Sequence, residues 1–197
     1  MIPYMELYGP RIRLRPFQTG DGASLLEIHE FNRESFERVS PVRSPEFFTE
    51  SAQDLQIQAD LARWRTDLGY AFAVVLGDRI IGRMALSNVV RGAWQNATLG
   101  YWIDARFQDQ GFATEAVRGI VTAAFEVLSL HRVQAAIMPK NAPSLKVIEK
   151  LGFNDEGLAT HYLNINGRWE DHRIFSLTRE QYLGFPGWTV HMEGVPS

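Results

Sequence analysis

The stretch ARFQDQGFATEAV, from Ala105 to Val117, passes from a polar turn directly into a helical pattern. Gly111 and Ala113 are small, so a bulky anion can approach the main chain where this helix begins. Backbone N–H groups in the first turn of a helix have no acceptor within the helix, and the macrodipole adds about half a positive charge there. On spacing alone, an ordinary strand-to-helix turn is the simpler interpretation, and a phosphate-binding helix start is the functional alternative.

Hydrophobic periodicity on both sides of this stretch predicts a mixed α/β sheet with helices on its faces. Gly77-Asp78 and Asn166-Gly167 each stand between two alternating segments, which is the pattern of a β-hairpin. A helix over 51–68 places large apolar residues on one face. Three further helices are predicted: a short one that begins at Asp21, one over 114–128 and one over 141–151. Residues 34–48 are predicted as a loop. The predicted strands are 11–17, 70–76, 79–90, 97–103, 132–138, 158–165 and 168–177.

Composition limits the classes of function that the chain can have. Its 197 residues are 45% hydrophobic and 22% charged, which is typical of a globular protein and favours one domain over 1–197. A net charge of −3 argues against nucleic acid as a direct partner, and the absence of cysteine excludes disulfides, thiolate zinc sites and a cysteine acyl-enzyme. The five histidines lack metal-ligand spacing, so no metal is expected. Without a signal sequence or an apolar run of about 20 residues, we expect a cytoplasmic protein with no membrane association.

The opening stretch resembles a known phosphate-binding motif. Residues 108–113, QDQGFA, resemble the Q/R-x-x-G-x-G/A motif of GNAT-superfamily acetyltransferases, whose loop holds the pyrophosphate of acetyl-CoA. The resemblance continues through TEAV, NAPS (141–144) and EKLGF (149–153), and the order of elements matches over nearly the whole chain. SNVVRG (87–92), LGYWI (99–103) and INGRWEDH (165–172) are similar to ribosomal-protein-alanine N-acetyltransferases. This implies the GNAT fold, with about seven strands, a central splayed strand pair and helices on both faces.

The resemblance also implies a binding site for acetyl-CoA as the acetyl donor. The pantetheine arm would enter between the splayed strands, where a backbone N–H near Ile103 would hold the developing oxyanion. Asn141 matches an asparagine that contacts the cofactor arm, although Asn is also among the best helix N-caps. The implied cofactor-binding residues are Tyr101, Trp102, Ile103, Gln108, Asp109, Gln110, Gly111, Phe112, Ala113, Thr114, Asn141 and Ser144.

Two residues depart from the family's usual proton-transfer groups. Thr98 stands where many relatives carry a glutamate that deprotonates the amine, and Ile148 stands where many carry a tyrosine that protonates the thiolate. Ser144 matches a serine to which the general-acid role has been assigned in this subfamily, and its structural alternative is a first-turn serine that bonds to helix N–H groups. The candidate residues for binding the acceptor are Phe36, Asn88, Arg91 and Glu170. Phe36 could instead be an aromatic residue that only packs in the fold, and Arg91 and Glu170 could be ordinary surface groups.

The acid–base chemistry of amines favours one class of acceptor. An α-amino group has a pKa of about 7.7–8.0, so roughly a tenth of it is neutral near pH 7, whereas a lysine side chain with a pKa of about 10.4 is almost entirely charged. A site with weak proton-transfer groups therefore suits a peptide or protein N-terminus, such as that of a ribosomal protein. The amine would attack the thioester directly in a ternary complex, in a monomer or a homodimer.

Two alternatives to this function remain open from the sequence. One keeps the same donor but transfers the acetyl group to a small amine, such as an antibiotic, an amino acid or a polyamine. The other is a non-catalytic acyl-CoA-binding protein that retained the cofactor loop after losing both proton-transfer residues.

Overall fold

The computed structural model describes residues 4–192, which form a nine-stranded mixed sheet and five α-helices. The strands lie in the order β7-β8-β6-β5-β4-β3-β2-β1-β9. Neighbouring strands are antiparallel except β5 and β6, which are parallel. The strands are β1 Met5–Tyr8, β2 Arg13–Pro16, β3 Tyr70–Leu76, β4 Arg79–Val90, β5 Asn96–Ile103, β6 Arg132–Ile137, β7 Asn154–Ile165, β8 Arg168–Thr178 and β9 Thr189–Met192.

Helices cover both faces of this sheet. The α-helices are α1 Gly22–Phe31, α2 Arg33–Glu37, α3 Glu50–Arg65, α4 Phe112–Thr122 and α5 Ala142–Lys150. Ala116 and Ile120 of α4 and Ile148 of α5 belong to the larger buried cluster, and we call the side of the sheet that they cover the α4 face. Leu25 and Ile28 of α1 belong to a second buried cluster on the opposite side, which we call the α1 face.

Local sequence explains where several of these elements begin and end. The Thr49 side chain accepts a hydrogen bond from the Ala52 N–H and caps α3, and Asn141 caps α5 in the same way through Ser144. β3 is almost entirely buried because helices and neighbouring strands enclose it, so its apolar run YAFAVVL is continuous and does not alternate. Both predicted hairpins are present, as β3–β4 and as β7–β8.

The structure corrects four details of the sequence prediction. The sheet has nine strands and not about seven, because β1 and β9 pair with each other along one edge. The predicted loop 34–48 contains part of α2 and a 3-10 turn at Pro45–Phe47. The helix predicted over 51–68 ends at Arg65, and Leu68 is 57% exposed. The helix predicted over 114–128 begins at Phe112 and becomes π-helical over Ala123–Val127.

The parallel strands β5 and β6 separate part of the way along their length. They pair only from Asn96 to Thr98 on β5 and from Arg132 to Gln134 on β6. Beyond these residues β5 remains paired with β4 as far as Ile103, and β6 remains paired with β8. The sheet therefore opens between β5 and β6 at their carboxyl ends.

Candidate active site

The opening between β5 and β6 forms a cleft of about 230 Å³. Residues Leu99–Trp102 line one side of the cleft, and Ala135–Met138 line the other. Because side chains alternate along a strand, Leu99 and Tyr101 point to the α4 face, whereas Trp102 packs against the buried cluster of the α1 face. Gly100 also points to the α1 face, and an added Cβ there would have no atom within 4 Å. The cleft is therefore lined by groups from both faces of the sheet.

The N-terminus of α4 presents backbone donors beside this opening. Gly111 is the N-cap residue and has φ +82°, a left-handed conformation that glycine adopts without a steric penalty. The first helical hydrogen bond runs from the Glu115 N–H to the Gly111 carbonyl at 3.0 Å. The N–H groups of Phe112, Ala113 and Thr114 have no backbone acceptor among residues 4–192. Three aligned donors at a helix start suit an anionic group.

An arginine from outside the loop adds positive charge at the same place. Arg11 donates from Nε to Glu115 at 2.7 Å and from a guanidinium nitrogen to the Gln110 carbonyl at 3.0 Å. Its guanidinium also lies 4.5 Å from the centre of the Phe112 ring. Glu115 accepts the backbone N–H groups of Arg11 and Ile12 as well, which joins the start of α4 to the segment before β2. This network fixes the position of the loop and of its free N–H groups.

Three polar residues line the α4-face side of the cleft. Tyr101 donates its hydroxyl hydrogen to the Ser144 carbonyl at 3.4 Å, and the Asn141 side-chain oxygen accepts the Ser144 N–H at 3.4 Å. Burial raises the pKa of Tyr101 to about 12, so its hydroxyl keeps the proton. The Ser144 side chain lies beside the Tyr101 hydroxyl in the wall of the cleft, where a bound ligand could contact it.

Aromatic rings form the α1-face side of the cleft. His29 packs against Phe36, Phe47 and Trp102, with ring centres 5.7, 4.9 and 5.2 Å away. Burial, together with the nearby guanidinium groups of Arg43 and Arg83, lowers the pKa of His29 to about 4, so the imidazole is neutral at neutral pH. This part of the cleft is an apolar pocket with cationic groups at its edge.

A second histidine lines the cleft from β8. His172 is only 3% exposed, and its Nδ1 lies 3.0 Å from the carbonyl oxygen of Glu170. The Glu170 side chain does not line the cleft; its carboxylate pairs with Lys140 at 3.0 Å. Within residues 4–192, no group of three or more acidic or histidine side chains is arranged to hold a metal ion.

The structure brings most of the predicted site residues to one region and separates others. Tyr101, Trp102, Asn141, Ser144 and Phe36 line the cleft. The loop Gln108–Gly111 is exposed and leads into Phe112, Ala113 and Thr114 in the first turn of α4. Ile103 is 4% exposed in the larger core, and it does not line the cleft.

The two predicted acceptor residues near the end of β4 lie away from the cleft. Asn88 is exposed at a β-bulge with φ +50° and does not line the cleft. Arg91 makes two hydrogen bonds to Asp67, at 2.7 and 2.8 Å, and one to the Leu128 carbonyl at 2.6 Å. Because β4 and β5 are antiparallel, both residues lie where β5 begins, at the closed end of the β5–β6 pair. Arg91 therefore joins three elements of the fold.

Sequence reasoning missed His29, and it left two alternatives for His172, a group facing the acceptor amine or an ordinary surface charge. His29 has no motif around it, and His172 ends the segment INGRWEDH without a role of its own in that resemblance. The alternation in RWEDH does place Glu170 and His172 on one face, as expected. The His172 ring packs against Tyr162 of β7, with the two ring centres 5.6 Å apart.

Comparisons with known proteins agree with this arrangement. The profile of the Acetyltransferase (GNAT) domain matches residues 11–154. The probable N-acetyltransferase YjcK of Bacillus subtilis is 38% identical over 173 residues, covering 87% of this chain and 96% of that protein. The ribosomal protein uS5-alanine N-acetyltransferase of Escherichia coli is 31% identical over 192 residues, covering 95% of each chain. The structure of Mycobacterium smegmatis RimJ in complex with CoA-disulfide superposes with a TM-score of 0.87 at 27% identity, covering 93% of this chain and 92% of that one.

The fold and the cleft between the separated strands define an N-acetyltransferase that uses acetyl-CoA. The chain belongs to the GNAT acetyltransferase family, which confirms the family resemblance in its sequence. Its relatives include ribosomal-protein-alanine N-acetyltransferases. No helix within residues 4–192 is long and apolar enough to span a membrane.

Proposed function

We propose that this enzyme acetylates the N-terminal amine of a protein, such as a ribosomal protein, by direct attack of the amine on acetyl-CoA. The observation that carries the proposal is a cleft lined from both faces of the sheet, with free helix N–H groups beside it and an aromatic pocket within it. Similarity over 95% of its length to an enzyme named for ribosomal protein uS5 supports this choice of acceptor. Such a protein and acetyl-CoA meet in the cytoplasm, which is the compartment that we propose.

The α4 face would hold the donor. The N–H groups of Phe112–Thr114 would bind the diphosphate, and the neighbouring guanidinium of Arg11 would add a favourable charge. The loop Gln108–Gly111 would follow the diphosphate with its main chain. Asn141 and Ser144 would contact the pantetheine arm. Main-chain N–H groups of Gly100–Ile103 are the candidates for polarising the thioester carbonyl.

The reaction would form the C–N bond and break the C–S bond without an acetylated residue. The nitrogen lone pair attacks the thioester carbon, the nitrogen loses a proton, and coenzyme A departs as a thiolate that then gains one. Ser144 is the proposed donor to that thiolate, its hydroxyl passing on a proton that it regains from water. Tyr101, with a pKa of about 12, keeps its proton beside a thiol whose pKa is about 8.5, so it would orient the arm by hydrogen bonding.

The dimensions of the cleft favour a narrow acceptor. A cleft of about 230 Å³ lies below the roughly 300–1,000 Å³ of typical small-molecule pockets, and the donor arm would share it with the acceptor. One N-terminal residue, entering beside Phe36 and Trp102, fits this space better than an aminoglycoside does. Holding both reactants in the cleft can contribute up to about 7–11 kcal/mol of the barrier reduction, which reduces the need for strong acid–base groups.

Intact-mass measurement after incubation with acetyl-CoA tests this proposal. Peptides that begin with alanine or serine and contain an internal lysine would gain one acetyl group, whereas the same peptides with a blocked N-terminus would gain none. Polyamines, free amino acids and aminoglycosides serve as competing acceptors. Faster turnover of any of these small amines than of the peptide N-termini would refute the proposed acceptor.

A further inference from the structure

The α1-face side of the cleft contains His172, which has no role in the proposed reaction as described so far. We propose that Nε2 of His172 accepts the proton that the acceptor nitrogen loses. This inference rests on the proposed function, because it names the proton acceptor for that reaction. Three features of the cleft support it, namely the tautomer of His172, the face of the sheet that His172 occupies, and the lack of a better base among the groups near it.

The hydrogen bond of Nδ1 sets the tautomer of His172. Its partner, 3.0 Å away, is the carbonyl oxygen of Glu170, which can only accept a hydrogen bond. Nδ1 therefore carries the hydrogen in the neutral ring, and Nε2 carries the lone pair. Nε2 has no hydrogen-bond partner among residues 4–192, although the residue is only 3% exposed. A nearly buried imidazole thus presents an unused acceptor to the cleft that it lines.

The pairing of β6 with β8 places His172 on the acceptor side. Ile137 pairs with Arg173, so these two side chains share the α4 face. The preceding residue, His172, points to the α1 face, as do Trp102 and Phe36. An amine entering through this pocket would approach the thioester from the side on which Nε2 lies. Gly100 leaves this route open, since a Cβ there would meet nothing within 4 Å.

Other groups near the cleft are poorly suited to accept this proton. Thr98 has no basic atom, and His29, with a pKa of about 4, is too weak a base at neutral pH. The charged or titratable groups around His172 otherwise come from the α1–α2 segment, the loop after α2, the loop after β6, and strands β7 and β8. They are Arg33, Glu37, Arg43, Lys140, Tyr162 and Glu170. Glu37 pairs with Arg33 at 3.3 Å and Glu170 pairs with Lys140 at 3.0 Å, so neither carboxylate is free.

The proposed step balances protons within the known reaction. As the C–N bond forms, the N–H proton moves to Nε2, and the imidazolium keeps its Nδ1–H···O=C bond to Glu170. The C–S bond then breaks, and the thiolate gains a proton from water, either directly or through the Ser144 hydroxyl, which regains its own proton from water. The imidazolium finally releases its proton to solvent, which restores the neutral ring for the next turnover.

The variant His172→Asn tests this role with little change in shape. Its amide nitrogen can replace Nδ1 as the donor to Glu170, but it has no basic atom at the position of Nε2. We expect kcat at pH 7 to fall by about 10²-fold or more, with acetyl-CoA affinity by calorimetry unchanged. The acidic limb of the kcat–pH profile should also disappear, which a merely structural role would not cause. His161→Asn, at an exposed position with φ +50° that Asn tolerates, is the matched control.

Two readouts separate this inference from the proposed acceptor. If the wild-type enzyme acetylates only a small amine, the proposed acceptor is wrong, and the same comparison of variants with that amine still tests His172. Long-range ¹H–¹⁵N correlation NMR, which requires no turnover, should show Nδ1 protonated and Nε2 unprotonated at neutral pH. An Nε2-protonated tautomer, or an unchanged kcat–pH profile in His172→Asn, would overturn the inference.

Discussion

Replacing His29 with phenylalanine should remove an acid-dependent loss of stability. Burial and Arg43 lower the pKa of His29 from 6.5 to about 4 in the folded protein. Between pH 6.5 and 4 the unfolded chain binds more protons at this residue than the folded protein does, so the free energy of unfolding falls as the pH falls. Linkage gives a loss of about 2 kcal/mol at pH 5 and about 0.2 kcal/mol at pH 7 from this group. The phenyl ring of the variant cannot titrate, and it keeps ring contacts with Phe36, Phe47 and Trp102.

The measurement compares unfolding of the wild type and His29→Phe at pH 7 and pH 5. The stability of the variant relative to the wild type should rise by about 2 kcal/mol between these pH values, which is about 4–8 °C in Tm for a chain of this size. Other titrating groups cancel in this comparison because both proteins contain them. His161→Asn, at an exposed histidine, should show no comparable change. The same stability difference at both pH values would refute the view that burial keeps His29 neutral.

Three further substitutions test other parts of the structure. Gly111→Ala places a Cβ on a residue with φ +82°, 3.4 Å from the Arg11 guanidinium. We expect the affinity for coenzyme A, measured by calorimetry, to fall about tenfold or more, which corresponds to the loss of one charge-assisted hydrogen bond. Gly77→Ala, at φ +58° in the β3–β4 turn, should lose stability only, and equal loss of affinity in both variants would contradict the role of the loop. Because Ile148 is fully buried, Ile148→Tyr should overpack the core and lower the free energy of unfolding in urea by about 1–3 kcal/mol, without raising kcat. A higher kcat would show that the core admits a proton donor at this position. Arg91→Ala should reduce the free energy of unfolding by about 1–2 kcal/mol, because it removes the hydrogen bonds to Asp67, and should leave the KM for the acceptor unchanged. A raised KM for the acceptor would show that Arg91 helps to bind it.

Local patterns in the sequence were enough to predict the elements around the cleft. The β3–β4 and β7–β8 hairpins follow from their turn residues, and α5 follows from its cap and from the glycine at 152, which has φ +78°. Strands β1 and β9 were missed because each has only four residues, and they pair across nearly the whole chain. The π-helical turn was also missed, because one additional residue per turn leaves no distinct periodic pattern in so short a segment.

Site residues that are neighbours in the sequence could be predicted, whereas residues that meet only in the folded chain could not. Residues 108–114 form one continuous segment, so the motif alone placed them at the start of α4. The aromatic pocket that we propose for the acceptor is different, because His29, Phe47 and Trp102 come from three distant segments. No spacing rule in one sequence links them. The ion pair of Arg91 was missed for the same reason, since its partner Asp67 follows α3 and is distant from it in sequence.

Pairing of β1 with β9 brings Met5 and Met192 side by side at one edge of the sheet. Five strand spacings of about 4.8 Å separate β9 from β5, so this edge lies about 24 Å from the cleft. A circular permutant that joins these two positions with a short linker should preserve catalysis. Likewise, a surface tether attached at this edge would leave the cleft open to a substrate as large as a folded protein.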